Sequence, residues 1–96
     1  MRELQYRETE TGVEPCAMRD ALENRWHLVD MVGDVRVSTV FLGLDHSLTL
    51  DGPPVLWETM VFGGDNDQYQ QRYTSRAEAI EGHGAILERE RKAALR

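Results

Sequence analysis

The chain has 96 residues and a formal charge of -6, from 17 acidic and 11 basic side chains. This length predicts one domain, residues 1–96, with a modest core that association into a homo-oligomer would enlarge. The acidic balance argues against binding to a nucleic-acid polymer or to an anionic membrane surface. Cys16 is the one cysteine, and the sequence shows no signal-like or membrane-spanning apolar run. We therefore expect a cytoplasmic protein without an intramolecular disulfide.

The N-terminal quarter is predicted to contain a short edge strand and a short helix. Residues 4–7 fit the strand, and the polar residues 8–14 fit a turn. From Cys16 onward small and apolar side chains recur at helical spacing, and Pro15 is tolerated at or before the first turn of a helix. Asn24 is a candidate for the end of this helix. The residues that would share one face are Ala17, Met18, Ala21 and Leu22.

Residues 26–32 alternate in a way that is typical of a strand, and Gly33 and Asp34 follow as a two-residue turn. A competing interpretation is one long helix, because apolar side chains also recur at spacings of three and four. The residues that support the long helix are Met18, Leu22, Trp26, Val29 and Val32. We favour the strand.

Two apolar segments form the centre of the predicted fold. Residues 35–44 and 55–62 are rich in β-branched and aromatic side chains, which a half-buried sheet favours. The connection between them includes residues 51–54, whose glycine and two prolines favour a turn and delay strand pairing until after Pro54. The simplest closure is a long antiparallel hairpin, and we expect the other elements to pack around it.

A C-terminal helix is predicted after residues 65–73, a polar segment that fits a loop or a ragged edge strand. Ser75 is a favourable N-cap, and Glu78 completes the capping-box pattern. Gly82 and Gly84 each destabilise a helix interior by about 1 kcal/mol relative to alanine, which is tolerable where the backbone lies close to the sheet. The predicted sheet-facing stripe is Ala77, Ile80, Gly84, Leu87 and Ala94.

Together these elements predict an α+β fold. We expect an antiparallel three- to four-stranded sheet with the C-terminal helix packed on one face and a short N-terminal helix. We also expect the domain to assemble as a dimer or a higher oligomer.

The sequence contains no recognised motif for catalysis or for metal binding. Asp45 and His46 follow the first central strand, and with Glu58 and His83 they are the residue types of a mixed histidine and carboxylate metal site, but their spacing matches no zinc motif. Cys16 has no histidine arrangement that would make it a nucleophile, so we interpret it as a packed residue. We expect no catalytic residue, no metal and no cofactor.

Aromatic and arginine side chains favour a stacking pocket for a planar ring, with an arginine that meets a phosphate. Trp26 and Arg76 are further candidates for this pocket. Core or interface packing is the alternative role for both tryptophans, Trp26 and Trp57. Arg36 and Glu58 are expected to pair across neighbouring strands. The predicted ligand-binding residues are Trp57, Arg72, Tyr73, Tyr69, His46, Asp45, Arg36 and Glu58.

Three sequence phrases follow one another along the chain. They are VSTVFLGLDH at residues 37–46, GPP followed by ETMVFGG within residues 52–64, and RYTS leading into a helix with EA and GH within residues 72–83. In this arrangement the chain resembles a family of small uncharacterised proteins encoded in bacteriophage and prophage genomes. The resemblance covers residues 33–83, and the N-terminal third departs from it. It implies a phage origin and an accessory role in the cytosol of the infected host cell, and it carries no known reaction.

These observations predict a non-enzymatic phage accessory protein that acts in counter-defence. It would bind and sequester a small host immune signal of nucleotide type, such as a cyclic or modified nucleotide. One alternative is an inhibitor or interaction module that binds a host defence protein through an exposed strand edge or helix face. Another is a small metal-dependent enzyme that uses Asp45, His46 and His83.

Overall fold

A computed structural model describes residues 4–23, 25–48 and 51–95. In chain order its elements are β1 (Tyr6–Thr9), β2 (Gly12–Pro15), α1 (Met18–Leu22), β3 (His27–Val32), β4 (Val35–Phe41), β5 (Trp57–Phe62), β6 (Gln70–Tyr73) and α2 (Arg76–Ala94). None of the helices in these residues combines the length and the apolar character needed to cross a bilayer.

Strands β3 to β6 form one antiparallel sheet in the order β3-β4-β5-β6, and β1 and β2 form a separate hairpin. Helix α2 lies on one face of the larger sheet, where it contacts all four strands. The predicted α+β fold is confirmed, with its antiparallel sheet, its C-terminal helix on one face and its short N-terminal helix.

The two central strands form the predicted long hairpin. β4 and β5 pair along their length, and Thr39 lies opposite Thr59. Their connection spans residues 42–56, which is longer than a usual hairpin loop. Hydrogen bonding between the two sides continues into this connection, because the N–H of His46 donates to the carbonyl of Val55 at 2.9 Å. The paired strands β4 and β5 therefore form a continuous surface against which α2 packs.

The N-terminal segment differs from its prediction. Residues 8–14, predicted as a turn, belong to the β1–β2 hairpin. Pro15 is the last residue of β2 and comes before α1, as the prediction allowed. The hairpin is joined to the end of β4 because the N–H of Tyr6 donates to the carbonyl of Gly43 at 2.8 Å. No residue of its strands is fully buried, and their polar composition hides the alternation that marks a buried strand. Asn24, the predicted helix end, lies outside the described residues.

The strand over residues 26–32 is confirmed as β3, and the long helix is wrong. β3 pairs with β4 throughout, and Gly33 and Asp34 form the predicted turn, with Gly33 at a φ of 58°. The helical spacing was misleading because Val29, one of the apolar residues that supported it, lies on an exposed face of the sheet and not in the core.

Two clusters of buried apolar side chains lie between the sheet and α2. Along β4 and β5 they are separated by the fully buried pair Thr39 and Thr59. The first cluster is Phe41, Leu56, Trp57, Tyr73 and Ala79, and the second is Val37, Val61, Ile86 and Leu87.

The buried face of α2 differs from the predicted stripe. Of the predicted residues only Leu87 is buried, and Ile80 is 49% exposed. The prediction counted only small and apolar side chains, whereas two polar residues lie on the sheet-facing side with their polar atoms paired. The buried residues of α2 are Ala79, His83, Ile86, Leu87 and Glu90.

One of the two helix glycines is required by a close contact. A Cβ atom at Gly82 would collide with the ring and hydroxyl of Tyr73, whereas a Cβ atom at Gly84 would meet nothing within 4 Å. The predicted approach of backbone to sheet is therefore correct for Gly82 and wrong for Gly84.

This contrast predicts opposite effects for two similar substitutions. Gly82→Ala should lower the free energy of unfolding by about 1–3 kcal/mol, because the methyl group forces Tyr73 or the helix to move. Gly84→Ala should raise it by up to about 1 kcal/mol, because alanine favours a helix interior and open space surrounds this position. Urea unfolding of both variants measures the difference, and equal effects would contradict the contact.

Candidate functional site

A chain of hydrogen bonds, buried except at its Asp30 end, connects the sheet to the middle of α2. The Nδ1 atom of His83 lies 2.7 Å from the hydroxyl of Thr39, and its Nε2 atom lies 2.8 Å from a carboxylate oxygen of Asp30. The hydroxyls of Thr39 and Thr59 are 2.5 Å apart, and the hydroxyl of Tyr73 donates to Thr59 at 2.9 Å. Four strands and the helix thus meet in one polar network.

One set of proton positions satisfies every member of this network. Tyr73 donates to Thr59, so Thr59 can donate to Thr39, and Thr39 can donate to Nδ1 of His83. His83 then carries its proton on Nε2 and donates it to Asp30. Burial raises the pKa of Tyr73, which keeps its phenol group protonated and able to act as the first donor.

The arrangement has the connectivity of a catalytic triad, with a carboxylate, a histidine and a hydroxyl in sequence. A triad nucleophile must reach the carbonyl carbon of a substrate, but Thr39 has 0% of its surface exposed beneath α2. His83 is also buried, with 2% exposed. The network therefore holds the helix in place and does not present a nucleophile to solvent.

A double-mutant cycle tests this role. His83→Leu and Thr39→Val should each lower the free energy of unfolding by about 1–3 kcal/mol, because each leaves a buried polar partner unpaired. The double variant should be more stable than the sum predicts, by about 0.5–3 kcal/mol, since it removes both partners together. Chemical unfolding measures all four proteins, and strictly additive losses would show that the two side chains do not interact.

A second feature lies at the N-terminal end of α2. A cavity of about 340 Å³ separates the β1–β2 hairpin from the start of the helix. Its lining includes Glu8, Glu10 and Val13 from the hairpin, Trp57 from β5 and Arg76 from the first turn of α2. The cavity therefore combines an apolar wall with charged groups.

The first turn of α2 is built by its capping residues. The hydroxyl of Ser75 accepts a hydrogen bond from the N–H of Glu78 at 3.1 Å, which confirms the predicted N-cap. The positive end of the helix dipole thus faces this region, as does the Arg76 guanidinium. Arg76 donates through Nε to Glu8 at 2.8 Å, and it lies 4.9 Å from the centre of the Trp26 ring.

Trp57 brings an unused donor to this cavity. Its side chain is 3% exposed and packs edge-on against Phe41, with ring centres 5.2 Å apart. Within the part of the chain that the structure describes, its buried indole N–H has no hydrogen-bond acceptor. Buried donors in folded proteins are almost always paired, so this unpaired indole distinguishes Trp57 among the residues that line the cavity.

The eight residues predicted to bind a ligand do not meet in one pocket. Trp57 and Tyr73 lie opposite each other on the helix-facing side of the sheet, while their chain neighbours Glu58 and Arg72 lie opposite each other on the other side. Successive side chains of a strand point to opposite faces, which separates the two pairs. Of the eight residues, Trp57 lines the cavity at the start of α2.

The other predicted residues have separate local contacts. Glu58 pairs with Arg72 at 2.9 Å, so its predicted pairing with Arg36 is wrong. Arg36 instead lies over the ring of Phe62, at 4.5 Å from its centre. In the same way, the guanidinium of Arg89 lies 4.3 Å from the centre of the ring of Tyr69.

Asp45 and His46 organise the connection after β4. The carboxylate of Asp45 accepts hydrogen bonds from the N–H groups of Ser47 and Val55, at 2.8 and 2.9 Å. Nδ1 of His46 lies 2.7 Å from the carbonyl oxygen of Leu44. These contacts serve the loop and are distinct from those of His83. No group of three or more potential metal-ligating side chains occurs within residues 4–23, 25–48 and 51–95.

Cys16 is half-buried, and burial raises the pKa of its thiol. A raised pKa lowers the fraction of reactive thiolate at neutral pH. This is the opposite of the acidified thiol that a position beside a proline and a helix start would allow, and it fits the interpretation of a packed residue.

Sequence reasoning missed the contribution of the N-terminal hairpin to the cavity and the polar partners of His83. A signal for the partners was present, because Thr39 and Thr59 occupy the inward positions of two strands with otherwise apolar inward side chains. No comparable signal marks Glu8 and Val13, whose place depends on how the hairpin folds back.

Fold and cavity together define a small α+β domain with one helix across an antiparallel sheet and a candidate binding cavity beside an N-terminal hairpin. No protein-family model, curated protein or solved structure matches this chain. Its function is therefore inferred from the geometry of the cavity together with the sequence.

Proposed function

We propose that this protein is a non-enzymatic binding protein that sequesters a small anionic ligand of nucleotide type in the cavity between the β1–β2 hairpin and the start of α2. The resemblance to phage proteins supports a role in counter-defence, in which the ligand is an immune signal of the host cell. Trp57 lines this cavity and has a buried indole N–H without an acceptor, and this is the observation that supports the proposal most strongly.

The start of α2 and Arg76 favour a phosphate group on their side of the cavity. Helix N-termini attract anions because their first N–H groups have no intrahelical acceptor and the helix dipole is positive there. Arg76 adds a guanidinium whose hydrogen bond to Glu8 uses only Nε. The two Nη atoms carry four further N–H bonds, and these can bind phosphate oxygens.

Two acidic residues limit the charge of the ligand. Glu8 neutralises part of the charge on Arg76, and Glu10 lies in the same wall. A triphosphate would be repelled by these carboxylates, whereas a phosphodiester carries a single negative charge. A cavity of about 340 Å³ is also near the lower limit of ligand sites, which are typically about 300–1,000 Å³. Charge and size together favour a cyclic mononucleotide over a polyphosphate or a dinucleotide.

Isothermal titration calorimetry with a panel of nucleotides tests the proposal. Cyclic mononucleotides should bind more tightly than the corresponding linear monophosphates and triphosphates. Trp57→Phe keeps most of the ring but removes its N–H, and it should weaken binding roughly tenfold or more, since a hydrogen bond to a charged group is lost. Arg76→Gln should weaken binding by a similar factor.

Arg72→Gln is the matched control, because Arg72 lies on the opposite face of the sheet and was predicted from the sequence as a ligand-binding residue. Its affinity should equal that of the native chain. Absence of binding by every nucleotide would contradict the proposed function. A loss of binding in Arg72→Gln with normal binding in Trp57→Phe would place the site on the open face of the sheet instead.

A further inference from the structure

β3 lies at the edge of the sheet, and no strand pairs with its outer side in the part of the chain that the structure describes. The N–H of Phe41 donates to the carbonyl of Trp26, which places the backbone groups of even-numbered residues of this segment toward β4. The backbone N–H and C=O groups of the odd-numbered residues therefore point outward. These residues are His27, Val29 and Met31.

Exposed apolar side chains accompany this edge. Val29 is 45% exposed and Met31 is 59% exposed, on the face of the sheet that α2 does not cover. Soluble proteins usually protect an edge strand with lysine, proline or a bulge, because unpaired backbone groups recruit another strand. β3 contains no lysine and no proline, whereas the opposite edge, β6, is shorter and begins with exposed Gln70, Gln71 and Arg72.

We propose that two copies of the chain associate through β3, antiparallel about a twofold axis, and form one continuous sheet. In the register that fits best, Val29 lies opposite the partner's Val29, and His27 lies opposite the partner's Met31. Three outward N–H groups in each of two copies then give six intermolecular hydrogen bonds. Every outward backbone group of β3 is paired in this arrangement.

The charges near β3 favour this register over one of its neighbours. In the next register that pairs the outward backbone groups, one strand is moved by two residues relative to the other. Asp30 then lies directly opposite the partner's Asp30, and like charges in this position are destabilising. In the favoured register Arg25, whose guanidinium donates to the carbonyl of Leu42 in its own chain, lies opposite the partner's Gly33. In this register Asp30 lies opposite the partner's Leu28, and the apolar Val29 side chains meet at the centre of the interface.

The oligomeric state and one backbone variant test the interface. Sedimentation velocity over a range of concentrations should show a monomer–dimer equilibrium. Val29→Pro removes an N–H that points away from β4, so β3 can stay in its own sheet while the dimer loses two central hydrogen bonds. The dissociation constant should rise roughly tenfold to a hundredfold.

Met31→Lys tests the same interface without altering the backbone, and it should also weaken the dimer. Ile80→Lys is its matched control, because Ile80 has similar exposure on α2, and it should leave association unchanged. Circular dichroism and thermal unfolding establish that each variant is folded. A chain that stays monomeric at all concentrations, or association that is unaffected by Met31→Lys, would overturn the proposal.

Cross-linking tests the register directly in a Cys16→Ser background. The Cα atoms of an opposed pair in an antiparallel sheet lie about 5.5 Å apart, so Val29→Cys should be joined rapidly to its copy by the shortest bifunctional thiol reagents. Two Met31→Cys residues would be separated by four residues along the strands, or about 13 Å, and should react much more slowly. Faster cross-linking through position 31 would overturn the proposed register.

Discussion

The hydrogen bond between the hydroxyls of Thr39 and Thr59 is the interaction on which the rest of the structure depends. It joins the two central strands on the face that carries α2, and it presents the Thr39 hydroxyl to His83. The helix is thereby fixed at one point along the sheet, and the contact of Tyr73 with Gly82 fixes it nearby. With the middle of the helix held in this way, its first turn lies beside the start of β5, where the cavity forms.

The hydrogen-bonded polar residues between the two apolar clusters fix the orientation of α2 more than they add to the free energy of unfolding. Each buried hydrogen bond stabilises a protein by only about 0.5–1.5 kcal/mol, but leaving one of its partners unpaired destabilises it by about 1–3 kcal/mol. A purely apolar helix face could rotate or slide with little loss. A helix that carries His83 and Glu90 has one position in which both are satisfied, with Glu90 accepting from the side-chain amide of Asn66 at 2.8 Å. The position of the cavity is correspondingly well defined.

The elements that could be predicted from the sequence are those with a local physical signal. β4 and β5 are rich in apolar and β-branched residues, and Ser75 and Glu78 form a recognisable N-cap pattern for α2. The β1–β2 hairpin lacked such a signal because its exposed strands are polar. The buried face of α2 was misjudged because its polar members have partners that are distant in sequence. The stacking pocket predicted from the sequence does not bring its residues together, because Arg72 and Tyr73 are neighbours in one strand and must point to opposite faces.

NMR spectroscopy of the His83 side chain tests the central hydrogen-bond network most directly. Long-range nitrogen–proton correlation spectra distinguish a ring nitrogen that carries hydrogen from one that accepts a hydrogen bond. The network predicts a single tautomer, with hydrogen on Nε2 toward Asp30 and an unprotonated Nδ1, together with a slowly exchanging hydroxyl proton of Thr39 at the ring. A rapidly averaging mixture of tautomers, with no slowly exchanging hydroxyl proton, would show that α2 is not anchored to the sheet in this way.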